Sequence, residues 1–476
     1  MQQPARIHKI ILNNLTAALL ILLCWRLPGA AQPDSISGFH LNASDLLKFA
    51  TEFGLAEASN ETVETVRQLS AFGLKNSLNE LIAFEENRHF VYALIKPSEV
   101  GAPGSPHLTR RLILLKPSTF VVDDEIEGSS SLGSAQWSLH SQARPSTVSR
   151  VATVRSNGTE LISETLLPEL AGLQVKHQPG YSLHVNPKQP SKTVRFLHVL
   201  HLRRTGDGST ARTQLMAQSN GLHLTIQASQ QTYQLMLPKD YAEAGEIEIS
   251  KGEAKGHLER RFFPAGVLPH GREGLKLLEL WDGSYRGGKR PFWDAGLPSG
   301  ELRRVVEQGL VRPGLAVDLG CGSGTDAIYL ASKGFDVTAI DIAPTALSQA
   351  REKANRAGVK VRWLLANVLS LPNLLPFEFI FDRGCYHEVR FDNAAAYVET
   401  VRRLSQPERT RFLLLAGNPN EVPVQYAPPQ VAEEDIRSDF SALFDFEWLK
   451  ETRFETSNPA ARGPLAWSVM LRRKTR

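Results

Sequence analysis

The sequence is poor in cysteine and nearly balanced in charge, and both features limit what the protein can be. Its 476 residues include only 3 cysteines, so no disulfide framework is expected. The formal net charge of +4 is mildly basic and gives no reason to expect a nucleic-acid partner. Hydrophobic residues make up 42% of the chain and charged residues 22%, as in ordinary globular proteins, and the length predicts two to four domains.

The sequence also lacks a long uninterrupted apolar run, although its N-terminus carries a short one. Arg6 and Lys9 precede an apolar segment over residues 15–25, and small residues follow it up to Ala31. This order is typical of a signal peptide in residues 1–31. An uncleaved membrane anchor is the alternative, although the run is short for a membrane span. We expect export or membrane anchoring through this segment alone, and a cytoplasmic protein if the segment is not a signal.

Residues 32–90 predict a short helical segment. Ser44 is suited to cap one helix, and the spacing of apolar residues predicts two more helices over 62–69 and 78–84. Glycines, which favour turns, lie between the predicted helices.

Residues 91–262 predict an all-β sandwich. Short segments in which apolar and polar residues alternate follow one another, and turns rather than helices separate them. The predicted strands cover residues 111–115, 120–126, 150–155, 181–185, 193–202, 222–228, 233–237 and 246–249.

Three motifs in this region, at residues 110–117, 120–124 and 137–140, resemble the C-terminal sandwich of the heparinase II/III-like polysaccharide lyases. In that family the catalytic groups lie mostly on a large helical toroid ahead of the sandwich. Residues 32–90 are too few to form a toroid, so they are at most its remnant. The resemblance therefore implies a sandwich without lyase activity, which retains at most a polysaccharide contact.

Some members of that lyase family hold a structural zinc ion in the sandwich. The resemblance would make His107, Asp124 and His140 the candidate ligands. His198 and His201 would point to opposite faces of one strand and form no ligand pair. Polar faces of strands are the simpler interpretation of all these residues, and we predict no metal site.

Residues 263–300 predict a turn-rich junction, and residues 301–476 predict an α/β domain. In the second segment strands and helices alternate, which favours a parallel, doubly wound, Rossmann-like sheet. The predicted helices include 302–310 and 344–357, and the predicted strands cover 315–319, 335–341, 361–365, 379–381, 411–416 and 467–472. The fold class is therefore multidomain, with an N-terminal all-β sandwich preceded by short helices and a C-terminal α/β domain.

A glycine-rich turn follows the first predicted strand of this α/β domain. The turn begins after Asp318, and a predicted helix follows Thr325. Glycine occupies alternate positions of the turn, at Gly320, Gly322 and Gly324. Glycine lets the backbone approach a ligand closely, and a helix N-terminus offers free N–H groups. The second strand ends at Asp341, whose carboxylate is placed to accept both hydroxyls of a ribose. The pattern predicts a site for a nucleotide-like ligand.

These residues resemble the class I S-adenosylmethionine-dependent methyltransferases, whereas the glycine spacing departs from the G-x-G-x-x-G pattern of NAD-type enzymes. The resemblance implies S-adenosylmethionine as cofactor, with Asp318 near its cationic groups. Asn367 stands where the family usually has an acid for the adenine amino group, and its side-chain oxygen can still accept. The implied cofactor-binding set also contains the loop residues and their neighbours: Gly320, Gly322, Gly324, Thr325, Asp341, Ile342, Asn367, Val368 and Asp382.

Two aromatic motifs in the junction, at 281–286 (WDGSYR) and 291–296 (PFWDAG), resemble the N-terminal cover of the thiopurine and tellurite-resistance type methyltransferases. In that family the cover folds over the cofactor. The resemblance implies that Trp293 lies close to the methionine part of the cofactor. An aromatic anchor for a linker is the alternative interpretation.

Arg383 and His387 follow the fourth predicted strand of the α/β domain and are the candidate catalytic residues. Methyl transfer is an in-line displacement that depends mainly on alignment, and a general base is needed only for a protonated nucleophile. Arg383 is suited to hold an anionic substrate and His387 to take a proton. Alternatively, Arg383 pairs with Asp382 or another carboxylate, and His387 only fills a loop.

The resemblance implies a small-molecule substrate with a soft nucleophile, which is a thiol, a halide or a chalcogen oxyanion. Two other function classes stay open. One is an exported polysaccharide-binding or lyase-derived protein with a degenerate methyltransferase half, and the other is an NAD-type oxidoreductase. Cys321 and Cys385 each follow the acid of a strand by three residues, and we expect two free thiols beside the cleft.

Overall fold

A computed structural model describes the strand-rich and α/β regions of the chain. The described residues are 39–42, 79–97, 107–128, 132, 135–156, 158–178, 180–208, 211–228, 230–241, 243, 245–251, 256–288, 290–420, 428–456 and 462–475. The chain divides into two units, residues 1–241 with 247–259 and residues 242–246 with 260–476. The predicted signal or anchor at 1–31, the helix at Ser44 and the helix at 62–69 lie outside the described residues.

The N-terminal region is rich in β-structure. Its strands are β1 (Phe39–Asn42), β2 (Asn79–Glu86), β3 (Phe90–Pro97), β4 (His107–Leu115), β5 (Thr119–Glu127), β6 (Trp137–Ser141), β7 (Ser146–Val148), β8 (Val151–Ser156), β9 (Thr159–Leu167), β10 (Gly172–Gln178), β11 (Gly180–Asn186), β12 (Thr193–Arg204), β13 (Arg212–Gln218), β14 (Gly221–Ala228), β15 (Gln231–Pro238), β16 (Glu246–Lys251) and β17 (Gly256–Phe262). They form a four-stranded sheet (β1-β6-β11-β10), an eight-stranded sheet (β2-β3-β4-β5-β12-β9-β8-β7) and a five-stranded sheet (β13 to β17 in order). Every strand that alternation predicted between residues 111 and 249 is confirmed.

The helix predicted over residues 78–84 is wrong, because this segment is strand β2. It pairs antiparallel with β3, and the Asn87 side chain closes the turn between them by accepting from the backbone N–H groups of His89 and Phe90 at 2.9 Å each. Consecutive residues of β2 are buried, Ala83 and Phe84 among them. A strand that is buried on both faces has no period-2 pattern, so its sequence resembles a helix segment.

Two of the three candidate zinc ligands in this region, Asp124 and His140, have other partners, and the third, His107, is exposed. Arg110 donates two hydrogen bonds to the Asp124 carboxylate, at 2.7 and 2.6 Å, and both side chains are buried. His140 Nδ1 lies 2.6 Å from the Ser182 hydroxyl, and His107 is exposed at the start of β4. Within the part of the chain that the structure describes, no three His, Cys, Asp or Glu side chains are grouped to hold a metal ion.

The C-terminal unit contains a seven-stranded sheet. Its strands are β18 (Leu315–Leu319), β19 (Asp336–Asp341), β20 (Arg362–Leu365), β21 (Phe379–Arg383), β22 (Arg411–Gly417), β23 (Phe444–Arg453) and β24 (Leu465–Arg473), in the order β20-β19-β18-β21-β22-β24-β23. The first five are parallel, β24 runs antiparallel to β22, and β23 runs antiparallel to β24. Its helices are α1 (Gly271–Gly283), α2 (Gly300–Glu307), α3 (Thr325–Ser332), α4 (Pro344–Ala357), α5 (Tyr386–Leu404) and α6 (Glu433–Phe440).

Alternate residues of the central strand β18 enter two different cores. Val317 packs in a cluster with Tyr397 of α5, whereas Ala316 packs in a cluster with Ala350 of α4. Successive side chains of a strand point to opposite faces, so helices cover both faces of the sheet. This arrangement confirms a Rossmann-like α/β domain.

Three helices (α1, α5 and α6) and one strand of this unit were not predicted. Helix α1 lies in the junction where turns were expected, because the glycines within it masked its helical apolar spacing. Helix α5 begins directly after β21, so His387 lies on a helix rather than in a loop. Strand β23 was not predicted. It pairs with β24, the last strand of the chain, and forms the edge of the sheet. In the described ranges, no helix is long and apolar enough to span a membrane.

Candidate functional site

A cavity of about 830 Å³ opens at the carboxyl ends of the parallel strands. The strand order reverses between β18 and β21, because the chain passes outward through β19 and β20 before it returns to β21. Ligands of open α/β sheets bind at such a switch point, and small-molecule sites typically measure about 300–1,000 Å³. The cavity therefore has the position and size of a ligand site.

The glycine turn after β18 adopts a conformation and a packing that favour glycine. Gly320, Gly322 and Gly324 have φ values of 68°, 52° and 77°, in the left-handed region. A Cβ on Gly320 would lie 2.6 Å from the Cβ of Cys385, and one on Gly322 would lie 2.6 Å from the Tyr285 hydroxyl. Gly320 and Gly322 line the cavity, whereas Gly324 lies outside its lining.

Asp341, at the end of β19, joins the glycine turn to the neighbouring strand. One carboxylate oxygen accepts from the Gly322 N–H at 2.7 Å, and the other accepts from the Ala343 N–H at 2.8 Å. Burial raises the pKa of Asp341 to about 6, against the effect of these hydrogen bonds. A carboxylate has about four lone-pair sites, so Asp341 retains capacity to accept from a ligand hydroxyl.

Asp318 lines the cavity and carries an orphaned buried atom. Its side chain is 2% exposed, and its Oδ2 has no hydrogen-bond partner. Burial, together with the charges of Asp326 and Asp382, raises the pKa of Asp318 well above its usual value. A cationic ligand group in the cavity would relieve this cost, because an opposite charge favours the ionised carboxylate.

Four further residues predicted to bind the cofactor also line the cavity: Thr325, Ile342, Asn367 and Val368. Thr325 is the first residue of α3. The Asn367 side-chain oxygen accepts from the Leu369 N–H at 3.0 Å and caps the short turn after β20. One of its two lone pairs is thus occupied, and the second remains for a ligand donor.

The prediction that Asp382 binds the cofactor is not supported, because this residue is fully buried and lies outside the cavity lining. Its carboxylate accepts from the backbone N–H of Cys385 at 2.9 Å, from that of Tyr386 at 3.0 Å, and from the Tyr397 hydroxyl. Burial raises its pKa to about 7. Asp382 therefore holds the start of helix α5, where free N–H groups attract an acid.

Four aromatic side chains form a cluster on the cavity wall: Trp281, Tyr285, Phe292 and Trp293. The Trp293 ring lies 5.7 Å from the Trp281 ring and 4.9 Å from the Phe292 ring, and its Nε1 donates a 3.0 Å hydrogen bond to the Tyr285 hydroxyl. Because that hydroxyl packs against Gly322, the cluster lies beside the glycine turn. Trp293 therefore lines the cavity beside the glycine turn, and its predicted closeness to the methionine part of the cofactor stays a prediction.

Polar contacts fasten this cover to the glycine turn and to α4. Asp294, directly after Trp293, accepts from the Ser323 hydroxyl, and Lys353 Nζ donates to the same hydroxyl. Asp282 accepts from the Thr345 N–H at 2.7 Å. None of these contacts was predicted, since each joins residues far apart in the sequence.

Arg383 lines the cavity but already has protein partners. Its Nη1 donates to the Trp293 carbonyl at 3.0 Å, its Nη2 donates to the Glu455 carbonyl at 3.2 Å, and its Nε lies 3.5 Å from the Glu455 carboxylate. Pairing with a carboxylate was the alternative interpretation, although the partner is Glu455 rather than Asp382. The side chain ties the cover to the segment after β23.

His387 has a geometry unsuited to the predicted role of general base. Its Nδ1 accepts from the Gly417 N–H at 3.0 Å, so the neutral ring carries its proton on Nε2. Burial, aided by the charge of Arg383, lowers the pKa of His387 to about 3. The ring lines the cavity as a hydrogen-bond donor rather than as a proton acceptor.

Cys321 and Cys385 both line the cavity, and both are free thiols. Burial raises the pKa of each thiol well above its usual value. Thiols rather than thiolates are therefore present near neutral pH, and such cysteines are weakly reactive. Both residues lie beside the cleft, as expected, and the free state of the two thiols in the purified protein stays a prediction that thiol titration tests.

The acidic residues of the cavity wall that were missed include Asp326 and Glu388. Asp326 accepts from the Ser299 N–H at 2.7 Å, and burial raises its pKa to about 6. Both residues lie in the first turn of a helix that follows a parallel strand. This position at the carboxyl edge of the sheet was the available signal, because acids are favoured in a first helical turn.

Comparison with known proteins identifies this region of the chain. A family model described as a methyltransferase domain matches residues 316–408, which contain the glycine turn and Asp341. The C-terminal unit holds a class I S-adenosylmethionine-dependent methyltransferase domain. The protein is accordingly an S-adenosylmethionine-dependent methyltransferase.

Several relatives are similar to part of this methyltransferase. A 2-heptyl-1-hydroxyquinolin-4(1H)-one methyltransferase of Mycobacteroides abscessus is 27% identical over 185 residues, which cover 37% of this chain and 81% of that protein. A probable thiol methyltransferase 2 of Arabidopsis thaliana is 36% identical over 100 residues, 21% of this chain and 38% of that protein. A solved structure is described by the conversion of a disulfide bond into a thioacetal group during echinomycin biosynthesis. Its chain is 27% identical to this one, and the match covers 42% of this chain and 94% of that chain with a TM-score of 0.38.

The residues of this methyltransferase fit S-adenosylmethionine. The orphaned Oδ2 of Asp318 provides a negative partner for a cationic group, and Asp341 provides acceptors for hydroxyls. A side chain at Gly320 or Gly322 would collide with the wall of the cavity, so the turn keeps the close backbone approach that a ligand needs. The aromatic cluster closes the other side.

Proposed function

We propose that the protein transfers the methyl group of S-adenosylmethionine to a small, largely apolar acceptor through a soft nucleophile. The observation that carries the proposal is the apolar rim of the cavity. Leu280, Phe292 and Leu297 line the cavity, yet 63%, 48% and 62% of these residues' surfaces are exposed. Apolar side chains grouped at a pocket mouth are typical of a binding surface. An acceptor with an apolar body would cover this rim.

Within the soft nucleophiles we favour a thiol over a halide or a chalcogen oxyanion. One relative is described as a probable thiol methyltransferase, and another acts on a hydroxyquinolone with a heptyl chain. A small anion would need a cation with spare charge at the substrate end. Arg383 is already offset by Glu455 and bound to two backbone carbonyls. A neutral, apolar thiol needs no such cation.

The chain's own residues would serve this reaction mainly by alignment. The bound cofactor supplies an electrophilic methyl group on a sulfonium sulfur. The glycine turn and Asp341 fix the nucleoside end, while the aromatic cluster and the Arg383 contacts close the cavity against water. Aligning acceptor and methyl group in one closed site accounts for a large part of the rate enhancement of such displacements.

We also propose finer assignments for both regions. The alternation of strands and helices on two faces supports a doubly wound sheet, and the aromatic cover supports the thiopurine and tellurite-resistance type. For the N-terminal region we propose a heparinase II/III-like sandwich without lyase activity. Residues 1–31 are proposed to direct export or to anchor the protein in a membrane. A polysaccharide-binding protein with a degenerate methyltransferase half is less well supported, since Asp341 and the glycine turn keep a cofactor-binding geometry.

The acceptor class can be tested with the full chain and S-adenosylmethionine. Thiophenol, an alkyl thiol, iodide and tellurite would be compared by mass spectrometric detection of S-adenosylhomocysteine and methylated product. We expect thioethers from both thiols, with higher kcat/KM for the more apolar thiol, and little product from the two anions. The variant Leu280→Ser should raise KM for the apolar thiol, and Leu375→Ser, an exposed leucine outside the cavity lining, is its control. Turnover of iodide or tellurite in preference to thiols would contradict the proposal.

A further inference from the structure

We infer that Glu388 is the residue that takes the proton from the acceptor, and that His387 positions it. The assignment rests on the proposed function, because a proton must be removed only when the acceptor arrives protonated. Both residues lie in the first turn of α5, directly after β21, and both line the cavity. Glu388 is therefore at the substrate end of the switch point rather than among the groups that hold the nucleoside.

A hydrogen bond from the Gly417 N–H to Nδ1 fixes the orientation of the His387 ring. Because the Gly417 N–H occupies Nδ1, the ring proton is on Nε2, which lies 3.9 Å from Oε1 of Glu388. At this distance the N–H dipole attracts the carboxylate electrostatically and forms no direct hydrogen bond with it. The Phe454 ring lies edge-on to the His387 ring, with 5.9 Å between the centroids, and restricts its rotation.

Glu388 has the accessibility and the surroundings of a base. Its side chain is 35% exposed, so a cavity ligand can reach it, whereas the His387 side chain is 6% exposed. In the described part of the chain, no lysine or arginine lies within salt-bridge distance of Glu388, so its lone pairs are not taken by a cation. Burial and the nearby charge of Asp392 raise its pKa, which makes the carboxylate a stronger base. Arg383, which lines the same cavity, is directed to Glu455, and Arg390 is paired with Asp435 and Asp439.

The proton and the electrons balance in this scheme. A Glu388 carboxylate oxygen accepts the proton of the acceptor S–H, and the bond from that sulfur to the methyl carbon forms. The carbon–sulfonium bond breaks, and its electron pair stays on the cofactor sulfur, which becomes neutral. Glu388 then releases its proton to solvent through the open side of the cavity.

The test compares acceptors of different acidity in the Glu388→Gln variant of the full chain. Substituted thiophenols that are ionised at the assay pH need no base, whereas alkyl thiols do. We expect kcat/KM of Glu388→Gln to fall by about 10²–10⁴ for alkyl thiols and to change little for the ionised thiophenols. The acid limb of the wild-type pH profile with alkyl thiols should also disappear. Glu399→Gln, an exposed glutamate on the same helix, is the matched control and should match the wild type.

Three outcomes would contradict the inference. Equal losses for ionised and protonated thiols would make Glu388 a structural or binding residue, and unchanged rates with alkyl thiols would exclude it as the base. Calorimetric binding of S-adenosylhomocysteine by Glu388→Gln separates both results from misfolding. If the wild type methylates none of the thiols, the proposed acceptor class fails and this assignment fails with it.

Discussion

At the scale of single residues, Asp341 shows how one carboxylate serves both the fold and the ligand. It binds the backbone N–H of Gly322 and of Ala343, and so fixes the glycine turn against β19. The same carboxylate lines the cavity. Ligand hydroxyls would therefore meet an acceptor that is already oriented, which reduces the cost of binding.

We predict that Asp341→Asn weakens the binding of S-adenosylhomocysteine by about 1.5–3 kcal/mol, or about 10- to 150-fold in Kd, because hydrogen bonds to a charged acceptor are lost. Calorimetric titration measures this change. Asp336→Asn, at the exposed start of the same strand, is the control and should bind like the wild type. If Asp341→Asn bound S-adenosylhomocysteine with wild-type affinity, Asp341 would not be a ligand-binding residue.

The pH dependence of binding tests the same carboxylate. Its pKa is raised to about 6, and the ionised form is the better acceptor, so the Kd should increase as the pH falls below about 6, by at most about tenfold per unit. In Asp341→Asn the acid-side increase should flatten. A dependence that survives the substitution would belong to another buried acid of the cavity wall, such as Asp318 or Asp326, whose pKa values are also raised.

At the scale of elements, the unit of strand β18, glycine turn and helix α3 depends on close packing as well as on backbone conformation. A Cβ on Gly324 would lie 2.6 Å from the Trp363 ring and 2.7 Å from the Cβ of Ala350. Gly358, which ends α4, has a similar φ of 68°, but a Cβ at this position would have no atom within 4 Å. Alanine substitutions at the two glycines therefore distinguish the cost of backbone strain, which both share, from the cost of steric overlap, which only Gly324 has.

We predict that Gly358→Ala lowers the free energy of unfolding by about 1–2 kcal/mol, the cost of a left-handed residue with a Cβ. Gly324→Ala should lose the same amount and about 1–3 kcal/mol more, because the added methyl group overfills a packed core. Urea unfolding of both variants gives the difference. Equal losses would mean that Trp363 and Ala350 move aside at no cost.

At the scale of the whole molecule, the methyltransferase unit begins before the junction that the sequence predicted. Phe262 and Leu268 belong to the same core cluster as Ala316 and Ala350. The Ala265 N–H also donates to the Leu365 carbonyl at 2.8 Å. A fragment that starts at residue 270 would lack these contacts.

We predict that a fragment of residues 260–476 folds and binds S-adenosylhomocysteine with the affinity of the full chain, because it retains the seven-stranded sheet and both cores. A fragment of residues 270–476 should be less stable by about 1.5–3 kcal/mol for each of Phe262 and Leu268 that it loses. Thermal unfolding followed by calorimetry compares the two. If residues 260–476 were insoluble and rescued only by the N-terminal region, the unit would not be independent.

Local sequence determined the parts of this protein that depend on local chemistry. Strand β18, the three glycines and the start of α3 were predictable, because backbone conformation and apolar periodicity are encoded in adjacent residues. The same holds for Asp341, which ends a strand that is parallel to β18 and next to it. Alternation likewise revealed the strands between residues 111 and 249, whereas β2, buried on both faces, resembled a helix.

Only the tertiary structure decided what the titratable residues of the cavity do. His387 lost the role of base because its partner, the Gly417 N–H, is 30 residues away and occupies Nδ1. Asp382 stabilises α5 because folding places the Tyr397 hydroxyl within hydrogen-bond distance of its carboxylate. Arg383 contacts both the Trp293 carbonyl and the Glu455 carboxylate. Protonation and hydrogen bonding depend on desolvation and on partners that folding brings together, and neither is encoded in the spacing of neighbouring residues.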